Sequence, residues 1–383
     1  MFIPPRRYRS DPGERMKITA VRTTLYHDGT ALYSPAHDTM TWARATGCCL
    51  VELVAGSALS GWAVAPAGAA AAVEALARDL LVGEDPRSAM SLWERTGSAI
   101  SPDGDPASAF ARAALDIAVW DLKARANDEP LWKTLGGSRP RANAHLHQEV
   151  GLPDAGSMFD RYRARSAATG IRSGSLPVSG DPATDLQGLA SLKQALGATV
   201  PESALMVHFV GNGRPQDAIR HIRTLESEFD LTWVRSPVRP DDCAGARQVA
   251  DSVAAAVCMG WGFTDAKAYR THLENYSANV LELDVALLGV SGVVQVADAA
   301  FGFELPVALS PHPGDLPVQL FSALPSVMSV AIHNDRLYPS AGVVVGSSVT
   351  FEDGRAVAGD APGNGLVIDR DALRSSAVRR AAT

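Results

Sequence analysis

The sequence predicts an α+β domain followed by an eight-stranded β/α barrel, and three observations carry that reading. Up to about residue 66, β-branched residues alternate with polar ones between glycine turns, the pattern of a small antiparallel sheet. Two stretches with apolar residues at helical spacing follow. Beyond residue 140 the pattern changes to eight short apolar runs separated by helix-length intervals.

Taken in order, "MFIPPRRYRSDPGER" (1–15) is basic and proline-bearing and lacks the apolar centre of a secretory signal, so a disordered extension or an early start-codon assignment is expected there, with structure beginning near Met16. "MKITAVRTTLYHDG" opens the sheet. "AAAAVEALARDLL" (69–81) and "PASAFARAALDIAVWDLKARAN" (106–127) read as helices, the second ending before "DEPLWKTLGG". The eight runs are "NAHLHQEV", "IRSGSLPV", "ALMVHFV", "LTWVR", "AAAVCM", "NVLELDV", "LPVALS" and "SVMSVAI". Residues near their ends, at 147, 175, 208, 235, 261, 284 and 312, lie 28, 33, 27, 26, 23 and 28 residues apart. Parallel strands need a crossover of about a dozen residues or more, and every interval supplies one. "VTFEDGRAVAGDAPGNGLVIDRDAL" reads as a hairpin that folds back on the N-terminal domain.

A chain of 383 residues fits one large domain with a smaller one. Apolar residues at 46% and charged residues at 20% are ordinary for a globular chain, and no apolar run in the sequence approaches the roughly 20 residues that span a bilayer. A net charge of -7 argues against nucleic acid, which selects a clustered basic face. Cys48, Cys49, Cys243 and Cys258 form no paired framework and are expected as reduced packing thiols in a cytoplasmic protein. Neither a membrane nor a nucleic acid is expected as partner; a small molecule is.

In a β/α barrel the chemistry sits at the C-terminal ends of the strands. That places His147, Ser175, His208, Arg235, Trp261, Asp284 and His312 under scrutiny. The stretch "ARAALDIAVWDLKARANDEPLWKTLGG" (111–137) is similar to the enolase superfamily, nearest the mandelate racemase and muconate lactonizing branch. "WVRSPVRPDDCAGARQVA", "LELDVALLGVSGVVQVADAA" and "APGNGLVIDRDAL" extend the likeness from Met16 to about residue 373. The resemblance implies an α+β capping domain over 16–138, completed by about 346–383, and a modified (β/α)7β TIM-like barrel over 139–345. It also implies proton abstraction α to a carboxylate, Mg2+ held by acidic residues at the ends of the third to fifth barrel strands, and homo-oligomers.

Laid on this chain, the three metal-ligand positions fall on His208, Arg235 and Trp261, and the second strand's Lys-x-Lys base motif falls on Ser175 and Pro177. The eighth-strand glutamate falls near Ala331 or Ile332. The Asp-His dyad is matched by Asp284 and His312, in which the carboxylate orients the imidazole that moves the proton. Imidazole, guanidinium and indole are poor ligands for a hard cation, so no Mg2+ and no other cofactor is expected. A fixed guanidinium matches a carboxylate, which makes Arg235 the candidate for the substrate's anionic end, with an internal ion pair as its structural alternative. His208 is a second donor or general acid, and Trp261 a wall. Tyr26, His27, Tyr33 and His37 lie where capping loops select substrate.

"HLH" (145–147) raises two rivals: a metal-dependent amidohydrolase barrel, whose other ligands are missing, and a zinc site from His147, His208 and His312. "VGNG" and "GVSG" read as strand-to-helix turns rather than phosphate cradles. The functional expectation is a metal-independent lyase (dehydratase) or isomerase (racemase) on a small carboxylic acid. The alternative is a noncatalytic relative that binds a ligand or serves a structural role.

Overall fold

Three antiparallel strands, β1 (Ile18–Tyr26), β2 (Cys48–Ala55) and β3 (Leu59–Pro66), pair in sequence order, and the strand Ala377–Ala382 adds to the free edge of β1. The computed structural model describes residues 16–26, 47–56, 59–100, 105–138, 141–147, 155–197, 204–209, 213–324, 326–333, 345–371 and 377–382. The expected extension over 1–15 lies outside them, as do His27, Tyr33 and His37.

The sheet packs on the helix Pro106–Ala126. Asp105 caps it by accepting from Ala107 N, with proline in the first turn, and 14 of its 21 residues are buried. A helix buried on most of its circumference needs small residues for close approach, which its alanines supply. A third helix, Ala89–Ser98, joins this domain where no helix was expected.

The barrel strands are β4 (Arg141–His147), β5 (Gly174–Pro177), β6 (Leu205–His208), β7 (Trp233–Arg235), β8 (Ala256–Met259), β9 (Val280–Leu283), β10 (Val307–Leu309) and β11 (Val327–His333). All eight coincide with the eight apolar runs. Each pairs in parallel with the next, and β11 closes on β4 with Val330 opposite Ala144 and His333 opposite His147. A helix follows each of the first seven strands, giving the expected (β/α)7β barrel.

The C-terminal hairpin differs from expectation. Its second strand, Arg355–Val357, pairs antiparallel with β4, so it extends the barrel sheet rather than the N-terminal one. Only beyond it does the chain reach the capping sheet, where Asn364 Nδ2 donates to Trp62 O at 2.9 Å. The composition reading also missed that one helix, Val285–Gly302, is long and apolar enough by length and composition to cross a bilayer, with a mean hydropathy of 1.6. Here 61% of it is buried, packed between the barrel and Pro106–Ala126.

The contact between those two helices is polar at one point. Gly289, at φ 60°, kinks Val285–Gly302, and beyond the kink Asp116 accepts from Ser291 N at 2.8 Å and from Ser291 Oγ at 2.6 Å. Trp120 Nε1 donates to the same hydroxyl at 2.8 Å. Burial pushes the Asp116 carboxyl up to about 7. A raised carboxyl contributes stability below its unfolded value of 3.8, and that contribution is lost as pH rises through about 7. Asp116→Asn mimics the neutral acid. Its urea midpoint relative to wild type is therefore expected to rise between pH 5 and pH 8; a constant difference would refute the assignment.

Candidate functional site

Strand pleating turns every second residue inward, and at the C-terminal half of the barrel those residues are polar. His145 and His147 come from β4, Ser175 from β5, His208 from β6, Arg235 from β7 and Glu282 from β9. Together they line one cavity of about 10 Å3. Four expected site residues, His147, Ser175, His208 and Arg235, are thus brought together. Glu282 was not anticipated, although it stands two residues before Asp284 and so shares its face; His145 entered only through the rival His-x-His reading.

Arg235 is 4% exposed and Glu282 6%. Nη1 of Arg235 donates to both carboxylate oxygens, at 3.1 and 3.3 Å, while Nε is buried without a partner among the described residues. The internal ion pair weighed for Arg235 therefore exists, with Glu282 as its carboxylate. Trp261, the expected wall, lies with its ring centroid 4.8 Å from the guanidinium carbon, a cation–π contact.

His208 is 1% exposed and neither ring nitrogen has a partner among the described residues. Burial first, then the Arg235 charge, holds it well below the usual imidazole range, so it is neutral. His147 lies against it with ring centroids 5.0 Å apart and shares a 2.7 Å hydrogen bond with Ser175 Oγ. His145 pairs with Ser329 Oγ at 3.0 Å. Burial raises the Cys258 thiol well above its ordinary value, which makes it an inert wall.

The expected Asp284–His312 dyad is not formed. Asp284 caps Val285–Gly302, accepting from Ala286 N at 3.1 Å and from Gly262 N at 3.3 Å. Its carboxyl is fully buried and pushed up to about 7 by that burial. His312 Nδ1 instead lies 3.1 Å from the Pro313 carbonyl. A carbonyl only accepts, so Nδ1 carries the hydrogen and the lone pair sits on Nε2. A backbone carbonyl thus orients the imidazole in place of the aspartate. Burial lowers His312 to about 4, which leaves it neutral at ordinary pH.

Tyr26 ends β1 in a capping-domain cluster with Cys48, Leu50, Trp62, Val64 and Leu366. It is a packing residue where a ligand contact was expected. Ala331 and Ile332 are buried, and no carboxylate stands there. His333, which follows them opposite His147, is a further imidazole at this end of the barrel.

Residues 20–136 match the family model "Mandelate racemase / muconate lactonizing enzyme, N-terminal domain", and residues 158–372 match "Enolase C-terminal domain-like". The chain belongs to the enolase superfamily, in its mandelate racemase / muconate lactonizing enzyme family. Within this superfamily it is 26% identical over 319 residues to 3,6-anhydro-alpha-L-galactonate cycloisomerase of Streptomyces coelicolor, covering 81% of this chain and 85% of that one. It is 25% identical over 378 residues to D-galactarolactone cycloisomerase of Agrobacterium fabrum, covering 94% and 98%. The crystal structure of L-talarate dehydratase from Polaromonas sp. JS666, complexed with Mg and L-glucarate, superposes with a TM-score of 0.79 at 22% identity, covering 96% and 99%.

That last finding corrects the expectation of a chain without cofactor: a superfamily neighbour of the same fold is solved with magnesium. The described donors do not by themselves fit such an ion. His208, Arg235 and Trp261 supply no carboxylate oxygen, Glu282 is engaged by Arg235, and no group of three His, Cys, Asp or Glu among the described residues could hold a metal. Among those residues His147, His208 and His312 form no such group. No step below runs through an ion.

Proposed function

We propose that this superfamily member is an isomerase- or dehydratase-type enzyme acting on a small hydroxylated carboxylic acid by proton transfer at the carbon α to the carboxylate. The observation that carries this reading is the state of Arg235 and His208. Glu282 occupies Nη1 alone, leaving the Nε side of the guanidinium, one arm of a carboxylate-gripping fork, without a partner beside an unpartnered neutral imidazole. Such an array matches a carboxylate next to a hydroxyl. The cycloisomerases named above act on galactonate and galactarolactone derivatives, acids of that kind. In this reading Arg235 takes the carboxylate and His208 a hydroxyl. His312, with its lone pair on Nε2, accepts the α-proton, while Asp284 holds the first turn of the helix that follows β9. Four free cysteines fit a cytoplasmic setting.

A second reading, a noncatalytic binding or structural protein, is favoured by the cavity itself. At about 10 Å3 it is far below the several hundred Å3 typical of small-molecule sites. The two readings separate in D2O. Galactonate, gluconate, galactarate and glucarate, incubated with the protein plus Mg2+ or plus EDTA, are followed by proton NMR. The enzymatic reading expects α-proton exchange or water loss in at least one acid, reduced about 10²–10³-fold in Arg235→Met, the usual cost of one lost anion-stabilising donor. Ligand-induced thermal stabilisation without exchange under either condition would establish the noncatalytic reading.

A further inference from the structure

We infer that the barrel contains a site for one water molecule, held between Nε of Arg235 and the imidazole of His208. This goes beyond the proposed function and stands whether or not the chain turns over a substrate.

Size, charge and hydrogen bonding each select the guest. The cavity's 10 Å3 is about one water-sized sphere, the lower bound for holding a single water. Arg235 and Glu282 already neutralise each other, so the site calls for a neutral guest. At its present size the cavity is too small for a carboxylate or nitrate, so a substrate carboxylate reaches Nε only as the cavity widens and the water leaves. A cation would meet the guanidinium. His208 and Arg235 line this space, and three of their buried polar atoms, Nδ1 and Nε2 of His208 and Nε of Arg235, have no partner among the described residues. An apolar guest would leave all three unmet.

One water meets two of them, Nε of Arg235 and one nitrogen of His208, in one geometry. Its oxygen accepts from Nε–H of Arg235, and one of its hydrogens goes to a nitrogen of His208, which neutral imidazole offers as an acceptor. That bond fixes the tautomer, placing the ring hydrogen on the other nitrogen. Ser175 Oγ and the Glu282 carboxylate, which line the same cavity, are within the set from which a buried water draws its usual third partner. A carboxylate approaching Nε of Arg235 would displace this molecule.

The test is a crystal structure at about 1.5 Å or better, of wild type and of His208→Phe. A single well-ordered peak at about 2.7–3.2 Å from both Arg235 Nε and a His208 nitrogen is expected in wild type, and none in the variant. A dry cavity in wild type, or a peak that persists in His208→Phe, would overturn the inference. So would ligand distances of about 2.0–2.3 Å with an anomalous signal, which would make the occupant a metal ion. Should His208→Phe fail to fold, the wild-type map decides alone, backed by a water-to-imidazole cross-relaxation signal at His208 in solution.

Discussion

Glu282→Gln is expected to lower the unfolding free energy by about 3–5 kcal/mol, the range for removing one partner of a buried ion pair. The size follows from what is left behind. The side chains are 5% and 8% exposed, so solvent does little to screen the orphaned guanidinium. Glutamine preserves volume and one acceptor oxygen but not the charge. Replacing both partners, as Arg235→Met with Glu282→Met, removes the desolvated charges together. It is expected to be neutral or stabilising by about 1–4 kcal/mol. Urea unfolding of the wild type, Arg235→Met, Glu282→Met and the double variant closes the cycle, with Glu282→Gln measured beside it. A loss under about 1 kcal/mol in Glu282→Gln would mean that the pair is not the site's central charge compensation. The cycle also bears on function: if Arg235 serves a substrate carboxylate, its stability and its usefulness pull in opposite directions, because the residue that stabilises it also occupies part of it.

How much of this was legible depends on which physics wrote each feature. Strands covered on both faces are apolar along most of their length, so β4 to β11 stand out in the chain as runs even with polar residues at their ends, and the crossovers space them. The helix Ala89–Ser98 has no comparable mark. "AMSLWERTGS" carries serine, threonine and glycine and buries only a few side chains, so local preference says little. At the site, the residues on the strand ends were legible because position alone assigns them. Glu282 could have been read from the pleat, since it stands two before Asp284 and therefore faces the same way. The role of Asp284 was misread for a different reason. An aspartate immediately before "VALLGVSG" is also a helix N-cap, and capping took the carboxylate away from His312. The replacement orienter, the Pro313 carbonyl, is invisible to any reading of side chains.

The second large effect lies at a junction remote from the cavity. Asp121, 0% exposed, accepts from Trp62 N of β3 at 2.8 Å, from Asn364 N at 2.6 Å and from Arg125 Nε at 2.7 Å. One carboxylate thus joins the capping sheet, the helix Pro106–Ala126 and the C-terminal segment. The backbone there leaves no slack: Gly363 sits at φ 107°, and a Cβ on it would collide with Asp121 Oδ1. Its carbonyl accepts from Leu131 N at 2.8 Å. Asp121→Ala strands two buried backbone N–H groups, and a guanidinium loses its partner. At about 1–3 kcal/mol for each unmet group, a loss of roughly 3–6 kcal/mol is expected. That is a large share of the 5–15 kcal/mol by which domains are typically stable. Asp121→Asn, which retains one acceptor, should lose less than the alanine variant. Hydrogen exchange should show the extra opening first at Trp62, Asn364 and Leu366, whose amides this junction protects. Uniform loss of protection through the barrel strands, with no excess at those amides, would show that Asp121 contributes general stability rather than tying the three segments together.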